Sequence, residues 1–306
     1  MAEKKSKYDL IIIGAGPAAY CASLYASRYK IDHLIIGAMP GGTASSAHRI
    51  CNFPGFKKIT GLELMMKMRE QVMEYGVDEM MDKVVGVVKN NDGSFLIQTQ
   101  SNGSFSCKSV LVAVGTERME LDLPSEKKFK GKGVSYCTTC DGMFYKDKIV
   151  AVVGGSNAAN MAAVYLADIC EKVYIIYRRD KLRGEELWID EVMKNEKIEV
   201  IFNANVVEFL GDESVTGIRL DKDNMVLDVG GVFIQIGSRP ALDFDLGVEL
   251  NEHGYILVDK EQKTNVEGIY AAGDITTNSN HFEQVVVACA EGAVAINSIY
   301  YWLKKS

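Results

Sequence analysis

At 306 residues, with 47% hydrophobic and 25% charged side chains, the chain has the size of two compact units and the composition of an ordinary globular protein. Its 34 Lys+Arg against 41 Asp+Glu leave a net charge of −7, which repels phosphate backbones and anionic lipid, so no nucleic-acid or membrane role is expected. Seven scattered cysteines, a basic start (MAEKKSKYDL) without the apolar stretch of a secretory signal, and no uninterrupted apolar run near the ~18 residues of a membrane span predict a cytoplasmic protein.

The first element is an apolar strand over residues 9–13. It runs through Gly14-Ala15-Gly16-Pro17 into an alanine-rich helix over residues 18–28, and a new strand follows at 33–36. This fits G-x-G-x-x-G/A in the strand–turn–helix setting that binds a dinucleotide. Gly14 permits the tight turn, and Gly16 lets the backbone approach a pyrophosphate. Ala18 and Ala19 open the helix, with Ala19 keeping it close to the sheet. Pro17 suits the first helical turn because its missing N–H had no partner there. The acidic residue that usually ends the second strand and holds the ribose is absent, since Ile35-Ile36 runs into Gly37-Ala38.

Strands are predicted at 95–99 and 110–114, with a turn at Gly115-Thr116. The charged stretch 117–132, which carries Pro124, reads as a linker. Then comes the sharpest feature, Cys137-Thr138-Thr139-Cys140. Thiols at this spacing can close a small disulfide ring, and such motifs lower one thiol's pKa. A zinc site would need a second cysteine pair or histidines, so no metal is expected. Asp141 follows directly. It can carry the protons that dithiol–disulfide interchange moves, or serve as a turn or N-cap aspartate before Gly142. The other cysteines (Cys21, Cys51, Cys107, Cys170 and Cys289) stand singly and read as buried small hydrophobes.

The strand–turn–helix pattern returns at 149–169, through Gly154-Gly155-Ser156, and a strand follows at 173–177. Two such rhythms about 140 residues apart predict two separate dinucleotide folds in an α/β chain. Strands at 231–237 and 268–274 and an apolar helix from about 284 to 303 complete the chain.

Tyr136-Cys137-Thr138-Thr139-Cys140-Asp141-Gly142 resembles the active-site signature of low-molecular-weight thioredoxin reductases of bacterial and archaeal type. Pro40-Gly41-Gly42, Asn52-Phe53-Pro54-Gly55, Gly115-Thr116 and Tyr270-Ala271-Ala272-Gly273-Asp274 match that family's FAD-domain motifs in the same order. The resemblance covers nearly the whole chain. It implies two Rossmann-like domains, with an FAD domain (1–115 and 244–306) split by an inserted NAD(P)H domain (116–243) that carries the redox pair.

By position, Gly14, Gly16, Pro17, Ala18, Gly41, Gly42, Gly115 and Gly273 would hold FAD. Asn52 would lie near its ring, Asp274 on the ribityl chain, and Gln284 and Val285 against the isoalloxazine. NADPH would lie on Gly154, Ser156, Asn157 and Ala158, with Arg178, Arg179 and Arg183 toward the 2′-phosphate. The resemblance further implies that Cys140 faces the flavin, that Cys137 attacks the disulfide of thioredoxin or a similar small dithiol protein, and that Asp141 is the acid. It also implies a homodimer.

The chain departs from the family at three places. Ser156 replaces a glycine of the second turn, Tyr177 a histidine, and Glu283 an arginine. Ser156 keeps open a non-nicotinamide donor, a ferredoxin or a deazaflavin. A flavin redox sensor that does not turn over is the reading from another class.

Overall fold

The computed structural model describes residues 5–278 and 282–305, so the first four residues of the basic N-terminal stretch lie outside it. The chain forms two compact units, Met1–Glu117 with Arg239–Ser306, and Arg118–Ser238.

In the first unit the strands lie in the order Asp78–Met80, His33–Ile36, Lys7–Ile13, Ser104–Val112, Phe95–Thr99, Val84–Lys89. The first four run parallel and the last two antiparallel. Ile269–Ala271, from the far end of the chain, adds a parallel strand on Ser104–Val112 with Ile269 opposite Val110. Leu10, Ile11, Ile12 and Ile13 are all buried, as a parallel strand covered on both faces requires. Alternate residues serve alternate faces. Ile11 and Ile13 pack with Val110, Val112, Ala271 and Ile275. Leu10 and Ile12 pack with Leu111 and Tyr270 under two helices, Pro17–Arg28 and Val285–Leu303.

These helices approach closely because small residues face each other. A Cβ on Gly292 would fall 2.3 Å from the carbonyl oxygen of Ala18. Val285–Leu303 is long and apolar enough to cross a membrane by length and composition alone. The sequence showed no uninterrupted run because Glu291 breaks it. Glu291 is buried with Ala288, Ala295, Ile296 and Ile299 on the inner face. It accepts hydrogen bonds from the Gly273 N–H at 2.8 Å and the Thr276 hydroxyl at 3.2 Å.

In the second unit a parallel sheet has the order Ile198–Phe202, Lys172–Tyr177, Ile149–Val153, Gly231–Ile234, Val134–Ser135. Helix Asn157–Ala167 packs Ala159, Ala163 and Leu166 against Val150, Val152 and Phe233 on one face. The antiparallel strands Val206–Gly211, Val215–Leu220 and Val226–Asp228 supply core residues such as Phe209 and Ile218 to the other.

The stretch expected to be a linker is ordered. It holds a short helix, Pro124–Phe129, with Pro124 in its first turn and both Glu126 and Phe129 only 1% exposed. Glu126 turns inward and accepts from the Leu121 N–H (3.0 Å), the Leu123 N–H (3.3 Å) and the Tyr136 hydroxyl (2.6 Å). The single cysteines also need correction. Cys107 and Cys170 are buried, but Cys21 and Cys289 are half-buried and Cys51 is exposed.

Candidate active site

A cavity of about 590 Å³ opens in the first unit. All the residues expected to hold a flavin line it except Gly41 and Asn52. Gly14 sits at φ +125°, and a Cβ there would lie 2.1 Å from the Ala113 carbonyl oxygen, so no other residue fits. Gly16 is different, because a Cβ on it would meet nothing within 4 Å. The space before it belongs to the cavity. Gly16 is also the N-cap of helix Pro17–Arg28 and supplies no side-chain cap, which leaves the first-turn N–H groups to a ligand anion.

The two excluded residues act from behind. The Gly41 N–H donates to the Ala15 carbonyl at 2.7 Å. The Asn52 side-chain amide donates to the Gln284 amide oxygen at 2.8 Å, fixing that side chain at the start of the last helix. Asp274 is half-buried. Burial first, and then the charges of Glu283 and Glu291, push its carboxyl up to about 6. Thr43, Lys83, Asp243 and Phe244 line the cavity too, though no motif marked them. The missing ribose acid has a steric reason, since a Cβ on Gly37 would fall 2.6 Å from that of Ala15.

The second unit has its own cavity, of about 230 Å³. Gly154, Ser156, Arg178 and Arg183 line it, with Gly155, Tyr177, Asn205 and Gln235. Gly154 lies at φ +136°, and its Cβ would be 2.1 Å from the Gln235 carbonyl oxygen. Ser156 is the N-cap of Asn157–Ala167 and makes no capping bond. The Arg183 N–H donates to the Gly155 carbonyl at 2.7 Å, tying its loop to the turn. Tyr177 packs its ring on Gly155, and its buried hydroxyl has no hydrogen-bond partner among the described residues. Three expected residues stand outside this cavity. Asn157 turns its amide oxygen to the Glu185 N–H (2.7 Å), while Ala158 and Arg179 are exposed elsewhere.

Cys137 and Cys140 are disulfide-bonded with Cα atoms 5.3 Å apart. Residues Thr138–Asp141 form a single helical turn, and the Cys140 N–H donates to the Cys137 sulfur at 3.2 Å. Asp141 holds the N-cap position of the next short helix, Gly142–Tyr145, but its side chain makes no capping bond there. Its carboxylate accepts from the Ser135 hydroxyl at 2.7 Å, and the same hydroxyl oxygen accepts from the Cys137 N–H at 3.1 Å. Ser135, buried at the end of strand Val134–Ser135, thus ties the acid to the cysteine backbone. No spacing rule picks it out.

Two Rossmann-like units, each with a glycine turn at its own cavity, and a Cys-x-x-Cys disulfide in one of them define a nucleotide-dependent disulfide oxidoreductase. The chain belongs to the pyridine nucleotide-disulphide oxidoreductase family, whose profile matches residues 8–292. It is 37% identical to the thioredoxin reductase of Listeria monocytogenes over 96% of this chain and 93% of that one. It is 40% identical to the thioredoxin reductase of Peptoclostridium acidaminophilum, with 94% of each chain covered. The crystal structure of Lactococcus lactis thioredoxin reductase in its FR conformation superposes with a TM-score of 0.92 at 34% identity, covering 98% of this chain and 100% of that one.

Proposed function

We propose that this chain is a thioredoxin reductase, moving two electrons from NADPH by way of FAD to Cys137–Cys140 and on to thioredoxin or a similar small dithiol protein. The observation that carries this reading is the Cys137–Cys140 disulfide with an adjacent carboxylate, Asp141, held by Ser135. Bound FAD supplies the conversion between a nicotinamide hydride and the electron pair that a disulfide accepts.

The residues of the chain do the rest. The bare backbone at Gly16 and the first-turn N–H groups after it take the pyrophosphate, while Asp274 binds the ribityl chain. Val285 and the Asn52-fixed Gln284 take the ring. In the second unit Gly154 and Ser156 hold the dinucleotide, and Arg178 and Arg183 reach its 2′-phosphate. An arginine fork favours a phosphate over a hydroxyl through paired charged hydrogen bonds.

Once the pair is reduced, the Cys140 N–H beside the Cys137 sulfur lowers the cost of a thiolate there. Cys137 attacks the partner disulfide, forming a mixed disulfide, and Asp141 gives a proton to the departing partner sulfur. Cys140 then attacks the Cys137 sulfur. The second partner thiol leaves, and the internal disulfide closes again. The reading includes a cytoplasmic homodimer, with exposed Val286, Val294 and Tyr301 on the last helix as the apolar face offered to a second copy.

Ser156 favours a second reading of the donor, because it lines the cavity at a position where the family has a glycine. Anaerobic reduction of the yellow protein by NADPH, NADH and reduced ferredoxin in parallel decides between them. Rapid bleaching by NADPH is the expected result. No flavin reduction by NADPH would overturn the nicotinamide assignment and leave a ferredoxin or deazaflavin donor.

A further inference from the structure

A second pair of thiols lies in the first unit, apart from the redox disulfide. Cys21 is in the second turn of helix Pro17–Arg28 and Cys289 in the second turn of Val285–Leu303. Where these helices cross at Ala18 and Gly292 their backbones nearly touch. Cys21 stands four residues after Pro17, and so on the same face of its helix, and the Cys289 sulfur packs against that face at the Pro17 carbonyl. The Cys289 thiol also lies 3.8 Å from the Pro17 carbonyl oxygen, within donating distance. Both residues are half-buried, so a small solute can reach them. Cys107 and Cys170 are a contrast. They are buried, and burial pushes their thiols up to about 12 and about 11. The proximity of the two thiols draws the Cys21 pKa down and the Cys289 pKa up. Cys21 is therefore the better nucleophile.

We propose that Cys21 and Cys289 are a second redox dithiol, which a hydroperoxide closes into a disulfide stapling together two helices that line the flavin cavity. Pro17, Ala18, Val285 and Ala288 all line that cavity, within one turn of the thiols. The Cys21 thiolate attacks a peroxide oxygen, the O–O bond breaks, and the other oxygen leaves as an alcohol or water after taking a proton. Cys21 is then a sulfenic acid. Cys289 attacks that sulfur, the S–O bond breaks, and the hydroxide leaves as water with the Cys289 proton. Two thiols have lost two electrons and the peroxide has gained them. A reduced small dithiol protein reopens the staple by exchange.

The test uses the FAD-loaded Cys137→Ser/Cys140→Ser protein, in which five of the seven cysteines remain. It is treated with hydrogen peroxide, alkylated and weighed intact, and its peptides are mapped. The expected result is joint loss of two alkylatable thiols, recovery of a peptide cross-linked through Cys21 and Cys289, and reversal by reduced thioredoxin. Adding Cys289→Ser should stop the reaction at a sulfenic acid on Cys21 that dimedone traps. Adding Cys21→Ser should leave Cys289 alkylatable. Retention of both thiols after treatment, or their separate oxidation without a cross-link, would overturn the proposal.

Discussion

The two glycine turns can be set side by side. In each, the first glycine has a positive φ, and a Cβ on it would stand 2.1 Å from a carbonyl oxygen, that of Ala113 for Gly14 and of Gln235 for Gly154. Two residues on, the backbones still agree: Gly16 has φ −92° and ψ −169°, Ser156 φ −108° and ψ −174°. The side chains differ. Gly16 leaves empty the space that Ser156 partly fills. The first glycine is therefore demanded by the protein's own backbone, whatever binds. The second position is free of the protein, and only the ligand constrains it.

The largest effect expected from this contrast is on folding. Gly14→Ala and Gly154→Ala each force a Cβ into a carbonyl at a backbone angle that alanine resists. Each should destabilise its own unit by on the order of 4 kcal/mol, read as a lowered urea midpoint. Gly16→Leu should behave differently, leaving the urea midpoint nearly unchanged. It should weaken FAD binding by about 5- to 150-fold, the range set by overpacking a close contact, as titration of the apo-protein would show. A collapse of folding in Gly16→Leu would erase the distinction between the two positions.

Asp274 separates fold from ligand through pH. Its carboxyl is held up to about 6 by burial and the neighbouring Glu283 and Glu291 charges, so ionising it costs more in the folded apo-protein than in the unfolded chain. Stability is thus lost as pH rises from the usual carboxylate range through about 6, and the full penalty remains above that. Asp274→Asn should stabilise the apo-protein by about 3 kcal/mol at pH 8 and hardly at pH 4, while weakening FAD binding. Thermal melts of flavin-free protein at both values check the sign. The smallest effect belongs to Ser156→Gly, which should change NADPH affinity by less than about tenfold, since a hydroxymethyl group can crowd the pyrophosphate or donate to it.

Much of this architecture could be read directly from the residues. Residues 10–13 and 150–153 form apolar runs because parallel strands are covered on both faces, and Gly14 and Gly154 mark turns that only glycine can make. The interior of the 117–132 stretch could not be read. Charge there suggested solvation, yet Glu126 points inward and organises Leu121, Leu123 and Tyr136. Ser135 was invisible because a hydroxyl two residues before a cysteine has many uses, and only the turn's folded path brings Asp141 onto it. Cys21 and Cys289 looked like isolated small hydrophobes because their meeting depends on how two helices from opposite ends of the chain cross. Local pattern reports periodicity and turn chemistry, whereas these contacts are made by tertiary packing.

Steady-state reduction of thioredoxin by the single variants Cys137→Ser and Cys140→Ser, measured beside anaerobic flavin reduction by NADPH, tests the central claim most directly. Both variants should keep flavin reduction near the wild-type rate and lose dithiol turnover by on the order of 1,000-fold or more. Cys140→Ser should in addition trap the partner as a mixed disulfide on Cys137. Near wild-type dithiol turnover in either variant would contradict the account.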